Sequence, residues 1–197
     1  LRAEYGLSDF DMRQRVTVSG LWQLPFGARA RWAKQGVSRR ILGEWQLANI
    51  FTLQTGQPLT AVLDTALSGT QSNGTDRPDL VGNPNLPGGQ RGVSRWFNTS
   101  AFVTPPIFTD AQGTYSIPGN EGRNVITGPG LATWDSSLER HFRLSEHVNT
   151  VFRADFFNLT NHPNFDRPGL IFGTSNFGMI SSAENSRQIQ FSLRLNW

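Results

Sequence analysis

Three histidines, His141, His147 and His162, and three carboxylates, Asp135, Glu139 and Asp155, are the side chains here that could hold a metal or move a proton. A metal site needs ligands at a spacing that brings them together, as in H-E-x-x-H on one helix face, and no two of these histidines have such a spacing. The segment Asp64–Asp79 (D-T-A-L-S-G-T-Q-S-N-G-T-D-R-P-D) is rich in oxygen donors but lacks the D-x-D-x-D-G order of a calcium loop. Asp135, Glu139 and Asp155 could supply a glycosidase-like acid pair. They fall on strands that imply no cleft, where they read as charges lining a wet surface. N-x-S/T occurs at Asn73, Asn98 and Asn158, and no G-x-S-x-G, Walker or G-x-G-x-x-G motif is present. The expectation is a protein that is not an enzyme, with no catalytic, cofactor-binding or metal site.

The composition narrows the class. Of 197 residues only 17% are charged, and the mean hydropathy is −0.37. No run of 18 apolar residues occurs, which excludes a spanning helix but not a barrel, whose lumen-facing half is polar. Cys is absent, so no disulfide forms within the chain. The net charge of +3 rests almost wholly on Arg, with Lys34 the one lysine. The basic run Arg29–Arg40 holds five basic residues and no acid and is the best candidate for a nucleic-acid stripe, but it reads more readily as a solvated turn beside a membrane surface, so no nucleic-acid partner is expected.

The elements that must position these residues are strands. In Gln188–Trp197 (Q-I-Q-F-S-L-R-L-N-W), Ile189, Phe191, Leu193, Leu195 and Trp197 alternate without a break with polar residues. Successive strand side chains point to opposite faces, so one face is wholly apolar and the other wholly polar. A barrel strand in a membrane and the edge strand of a soluble β-domain both meet that pattern. Four more strands are expected at about 13–24, 43–63, 133–142 and 148–158, with long loops at about 64–132 and 159–187. Lengths of about ten residues suit a tilted membrane crossing rather than the usual soluble strand of about five or six. The expected fold is therefore all-β: an antiparallel transmembrane β-barrel, of which the chain supplies a carboxy-terminal piece of about five strands with long extracellular loops. Residue 1 is Leu and no signal peptide precedes the first strand, which fits a piece of a longer protein.

With the carboxy-terminus in the periplasm, the short 143–147 turn is periplasmic and both long loops are extracellular. Trp22, Trp45, Phe142 and Trp197 then share the periplasmic end of their strands, as an interfacial aromatic girdle would. Arg140 falls on the lipid face, two residues from the strand end, where it can snorkel. Parity requires an odd-length turn between the third and fourth strands. A three-residue turn centred on Glu146 pairs Glu139 with Arg153 as an ion pair in the lumen, whereas one centred on Ser145 opposes Asp135 to Asp155, an unfavourable like-charge contact. The 64–132 connection is too long to be a mere link. Its Arg77, Trp96, Arg123 and Asn124 are the candidate ligand contacts, while Trp96, Phe97 and Phe102 are expected to pack the loop on itself.

A resemblance carries the reading further. It rests on Tyr5–Asp11 (Y-G-L-S-D-F-D), Leu24–Gly27 (L-P-F-G), Gly43–Leu47 (G-E-W-Q-L), Gln54–Pro58 (Q-T-G-Q-P), Arg77–Leu80 (R-P-D-L) and Trp96–Asn98 (W-F-N). Gly119–Asn124 (G-N-E-G-R-N), Gly128–Gly130, Trp134-Asp135, Phe177-Gly178 and above all Phe152–Phe165 (F-R-A-D-F-F-N-L-T-N-H-P-N-F) complete it. These resemble the carboxy-terminal barrel of TonB-dependent, Oar-like outer-membrane proteins with a carboxypeptidase-regulatory-like domain. The likeness departs at Thr160, where an apolar residue is expected. It implies a barrel of about 22 strands plugged by an amino-terminal domain, located in the cell outer membrane of a Gram-negative-type bacterium. It further implies energy-coupled uptake of a large or scarce solute. The implied partners are outer-membrane lipid, the TonB complex through upstream segments, the barrel-assembly machinery and a transported ligand. Phe191, Leu193, Leu195 and Trp197 would be the apolar side of the assembly signal.

Two other classes stay open at this level. One is a passive or adhesive outer-membrane barrel. The other is a secreted carbohydrate-binding β-sandwich with Trp45, Trp96 and Trp134 as a sugar platform.

Overall fold

The computed structural model describes residues 5–26, 32, 35–65, 68 and 76–197, with residues 38–40 as backbone only. Most of the basic run Arg29–Arg40 and the middle of Asp64–Asp79 lie outside the described residues. The chain divides into two compact units.

The first unit is an antiparallel sheet of five strands in the spatial order of the chain: β1 (Arg15–Gln23), β2 (Trp45–Gln54), β3 (Leu131–Arg143), β4 (Asn149–Phe157) and β5 (Gln188–Asn196). Each strand is rich in β-branched or aromatic residues on one side and polar residues on the other, as a two-faced pleated surface requires. The β3–β4 turn is short: the Leu144 N–H donates to the Val148 carbonyl at 3.0 Å, closing Ser145-Glu146-His147. That odd length sets Glu139 opposite Arg153, and Asp155 opposite Ser137 rather than opposite another acid. A seven-residue helix, α1 (Gly36–Leu42), lies in the β1–β2 connection. Among the described residues β1 and β5 each pair on one side only, so the sheet is open and no closed barrel is formed.

The expected run of the second strand through Leu63 needs correction. β2 ends at Gln54, and the next residues leave its ladder: Pro58–Leu59 pairs with Ile126–Thr127, and Val62–Leu63 runs parallel to Ile171–Phe172. Pro58 has no N–H to continue a ladder. At Gly56 a Cβ would strike the carbonyl oxygen of Gly128, so the chain passes there only as glycine.

The second unit gathers Thr55–Gly130, Phe165–Glu184 and the chain up to Gln14. These long connections are not open loops. They enclose an apolar core of Leu59, Ala61, Phe97, Ala101, Phe102 and Ile126. Phe97, Phe102 and Phe177 meet edge to face at centroid distances of 5.0–5.7 Å. Each full burial of a Phe stabilises the unit by roughly 1.5–3 kcal/mol, and each edge-to-face pair adds about 0.5–1.5 kcal/mol. Short ladders trim it: Asp79–Leu80 with Phe102–Val103, and the hairpin Ile107–Asp110 with Gly113–Ser116.

Candidate functional site

The polar face of the sheet carries one row that crosses all five strands: Gln23, Gln46, Glu139, Arg153 and Ser192. At its centre Arg153 Nε donates to both oxygens of Asp155, at 2.8 and 3.0 Å. Its Nη1 lies 3.8 Å from Glu139 Oε2, and His141 Nε2 is 2.6 Å from Glu139 Oε1. Glu139 therefore shares its two oxygens between a guanidinium and an imidazole. Asp135 Oδ1 accepts the Asn158 N–H at 2.9 Å. The carboxylates that could have formed an acid pair are thus each engaged with a neighbour. Among the described residues no three of His, Asp and Glu come together as a metal would need.

The opposite face is apolar. Its rows read Val18, Phe51, Trp134; then Gly20, Asn49, Ser136, Phe156, Ile189; then Trp22, Leu47, Leu138, Ala154, Phe191. Asn49, Ser136 and Thr150 interrupt it, and Ile50 turns to the polar side, but Asn49 Oδ1 accepts the Trp134 Nε1–H at 3.0 Å. Large apolar side chains stand exposed here, Phe191 at 67% and Leu193 at 62%, and Trp197 reaches 91%. A folded chain in water does not leave a contiguous surface of this kind uncovered.

The four girdle residues follow a diagonal across this face. Counted from the row of Trp22, Trp45 lies two residues further toward the short-turn end, Phe142 four and Trp197 six. Arg140 sits among them. It is the one charged side chain on the apolar face among the described residues, stacked 5.6 Å from the Trp45 ring centre and 5.4 Å from that of Phe142. Its Nη1 donates to the Ile41 carbonyl at the end of α1 (3.1 Å), and Trp45 Nε1 donates to the same oxygen (2.9 Å).

In the second unit the four candidate ligand contacts have different surroundings. Asn124 is buried and held in left-handed backbone, φ 59°. Its Oδ1 accepts the Thr60 hydroxyl (3.0 Å), and its Nδ2 donates to the Leu7 carbonyl and to Asp9 Oδ1, both at 2.6 Å. Its amide therefore fastens the Leu7–Asp9 stretch from inside. Arg123 is half exposed, 3.5 Å from Asp9. Trp96 is half-buried, with its Nε1–H donated to the Thr127 carbonyl (2.9 Å), Arg91 above it and Phe165 edge-on. Arg77 faces Glu121. That carboxyl is fully buried: Oε1 accepts the Ala61 N–H at 3.0 Å, and Oε2 has no hydrogen-bond partner among the described residues. Burial pushes its pKa up to about 7, against the opposing pull of the Ala61 N–H and the Arg77 charge. A cleft of about 170 Å³ opens between Leu63, Pro105, Ile107 and Phe172, with Asp64 the one charged side chain on its wall among the described residues.

Sequence reasoning missed the asparagines that terminate the strands. Asn158 follows β4 with φ 50°; its Oδ1 accepts the His162 N–H (3.0 Å) and its Nδ2 donates to the His162 carbonyl (2.9 Å). Asn161 Oδ1 takes the Arg187 N–H just before β5, and buried Asn164 Oδ1 takes the Ala132 N–H in β3. The signal was in the N-L-T-N-H-P-N spacing, because Asn tolerates left-handed backbone and bonds nearby main chain.

The family model described as "Outer membrane beta barrel domain" matches residues 1–190. No curated protein and no solved structure matches the chain. No helix among the described residues is long and apolar enough to cross a membrane, which bears only on helices. An exposed apolar face backed by a polar one on tilted-length strands is the surface such a family needs, and with nearly its whole length matched, the chain belongs to the outer membrane beta barrel domain family.

Proposed function

We propose that the chain forms the last strands and the long extracellular loops of a TonB-dependent transporter that imports a large or scarce solute. Its apolar face meets lipid, its polar face lines the lumen, and Glu139 and Arg153 form an ion pair there. One observation carries this reading: an apolar sheet face left exposed beside a polar row that spans all five strands. The core of Phe97, Phe102 and Ile126 supports it too, since a preformed loop body offers a steadier ligand surface than free loops do. In that role Arg123 and Arg77 are the contacts to test, and Asn124 positions Arg123 by fastening its neighbours.

The stagger of the girdle supports the same orientation. Six residues at about 3.4 Å span roughly 20 Å, while four strand spacings of about 4.8 Å span roughly 19 Å. Strands tilted by roughly 45°, as barrel strands are, bring such a diagonal to one depth.

The sugar-platform alternative loses support on the sheet. Trp134 lies in the row of Phe51, six residues from Trp45 along β2, or roughly 20 Å. The two indoles do not make one surface. A passive or adhesive barrel remains the competitor. Cells carrying the intact gene, grown with and without a protonophore, separate the two. Solute uptake that needs both the gene and the proton-motive force supports the transporter. Gene-dependent flux or adhesion that ignores the protonophore supports the competitor.

A further inference from the structure

We infer that α1 is an interfacial anchor: it lies along the membrane surface at the short-turn rim of the sheet, with Val37, Ile41 and Leu42 set among the lipid acyl chains. The inference rests on the reading that the apolar sheet face meets lipid. What ties the helix to that face is the Ile41 carbonyl, which accepts from Trp45 Nε1 at 2.9 Å and from Arg140 Nη1 at 3.1 Å. Trp45 and Arg140 are register partners on the apolar face, in one row with Phe152 and Leu193. The last turn of α1 therefore comes to the lipid side of the sheet, not to the lumen side. The level is the rim: Trp45 is the first residue of β2, and Arg140 lies three residues from the end of β3.

The tie gives the cation on the apolar face a task. The last carbonyls of a helix have no partner within it and carry the negative end of its dipole. In water they are hydrated; among apolar groups they must find donors. The Ile41 carbonyl has two, one of them cationic, and the guanidinium that serves it is steadied by the rings of Trp45 and Phe142. The helix surface fits the same place. Val37 and Ile41 stand one turn apart on one side, Leu42 adjoins them, and all three are exposed rather than packed on the sheet. The helix sequence G-V-S-R-R-I-L adds two arginines and no acid, a composition that anionic lipid attracts. Seven residues span roughly 10 Å, too short to cross a bilayer but enough to lie on one.

Fluorescence quenching of the intact protein in vesicles of phosphatidylethanolamine and phosphatidylglycerol tests the placement. An environment-sensitive dye is attached at Val37→Cys or Ile41→Cys. Leu193→Cys on the apolar sheet face and Phe108→Cys, exposed in the second unit, are the references. One quencher is a phospholipid with a nitroxide high on its acyl chain; the other is aqueous iodide on both sides of the bilayer. At 37 and 41 the expected result is lipid quenching several-fold above that at 108 and iodide quenching several-fold below it. Iodide quenching equal to that at 108 overturns the anchor. Quenching by neither agent also overturns it, since protein would then cover the helix. Arg140→Met removes the cationic donor and should raise iodide quenching at 41 several-fold; no change there overturns the tie. Should that variant fail to fold, the labels at 37 and 41 still decide, because they leave Arg140 in place. A label at 193 that behaves as the one at 108 does would instead overturn the lipid-facing reading of the sheet, and the anchor with it.

Discussion

Glu139 on β3 and Arg153 on β4 are register partners, yet the closer acid to Arg153 is Asp155 on its own strand. The two-pronged contact at 2.8 and 3.0 Å with Asp155 outranks the 3.8 Å approach of Glu139. Arg153 is half exposed, so solvent weakens both contacts. A double-mutant cycle on refolding should give a coupling below about 1 kcal/mol for Glu139 with Arg153. The Asp155–Arg153 coupling should be the larger. A larger Glu139 coupling would mean that the cross-strand pair, not the intra-strand one, fixes the register.

Glu121 makes the second unit sensitive to pH. Its folded pKa is about 7, against an ordinary value of 4.5. The folded form therefore holds the proton more tightly than the unfolded form. Its contribution is most favourable below about pH 4.5, declines as pH rises toward 7, and is level above that. The full change is about 3 kcal/mol. Amide hydrogen exchange at Ala61, corrected for intrinsic rate, should show protection falling across that window. Glu121→Gln keeps the acceptor for the Ala61 N–H and should flatten the profile. A profile of the same slope in that variant assigns the effect elsewhere.

The turn after β4 depends on Asn158 in two ways, through its left-handed backbone and through two side-chain bonds to His162. Gly tolerates the backbone but lacks the amide; Ala lacks both. Asn158→Gly should cost about 1–2 kcal/mol and Asn158→Ala about 1 kcal/mol more. Urea midpoints of the three proteins check the order. Equal midpoints for the Gly and Ala variants would mean the positive φ is not maintained.

What the sequence made legible follows from period. Alternation in Gln188–Trp197 and in Val16–Trp22 has one physical cause, the pleat, and it locates strands whatever solvent they face. It could not show where β2 ends, because Leu59, Ala61 and Leu63 keep alternating after Pro58 has left the ladder. In the second unit the aromatics Trp96, Phe97 and Phe102 do pack the long connection on itself, as their place in the sequence suggested, but Leu59 and Ile126, far from them in the chain and sharing no period, could not be joined to that core. The burial of Glu121 is a tertiary fact that the motif G-N-E-G-R-N does not carry. Asn124 looked like a surface contact for the same reason, and its side chain turned inward to Leu7 and Asp9.

The terminal strand offers a test in cells. β5 exposes Phe191, Leu193 and Leu195 along one face and ends at Trp197, which is 91% exposed. Phe191 stacks on Phe152 at 6.3 Å, whereas Trp197 is almost wholly exposed, so truncating Trp197 should leave stability nearly unchanged and act on membrane insertion. Trp197→Ala in the intact protein should lower the outer-membrane yield of heat-modifiable barrel. A yield equal to wild type would remove Trp197 from the assembly signal.

The depth of the girdle can be measured directly, because the chain contains no Cys and each introduced thiol is unique within it. Spin labels at Trp22→Cys, Trp45→Cys, Trp197→Cys and Trp134→Cys report depth through their relative access to oxygen and a water-soluble nickel chelate. With strands tilted roughly 45° in the sense that levels the diagonal, the first three labels should agree in depth within a few ångströms. Trp134 lies four residues back from Leu138 in the Trp22 row, so it should sit roughly 15 Å away from them along the membrane normal. The opposite tilt makes a contrary statement: it would separate Trp22 from Trp197 by nearly the hydrocarbon thickness and bring Trp134 close to Trp22. Labels at 22 and 197 found at opposite depths would therefore dissolve the girdle and with it the orientation that puts the long connections outside the cell.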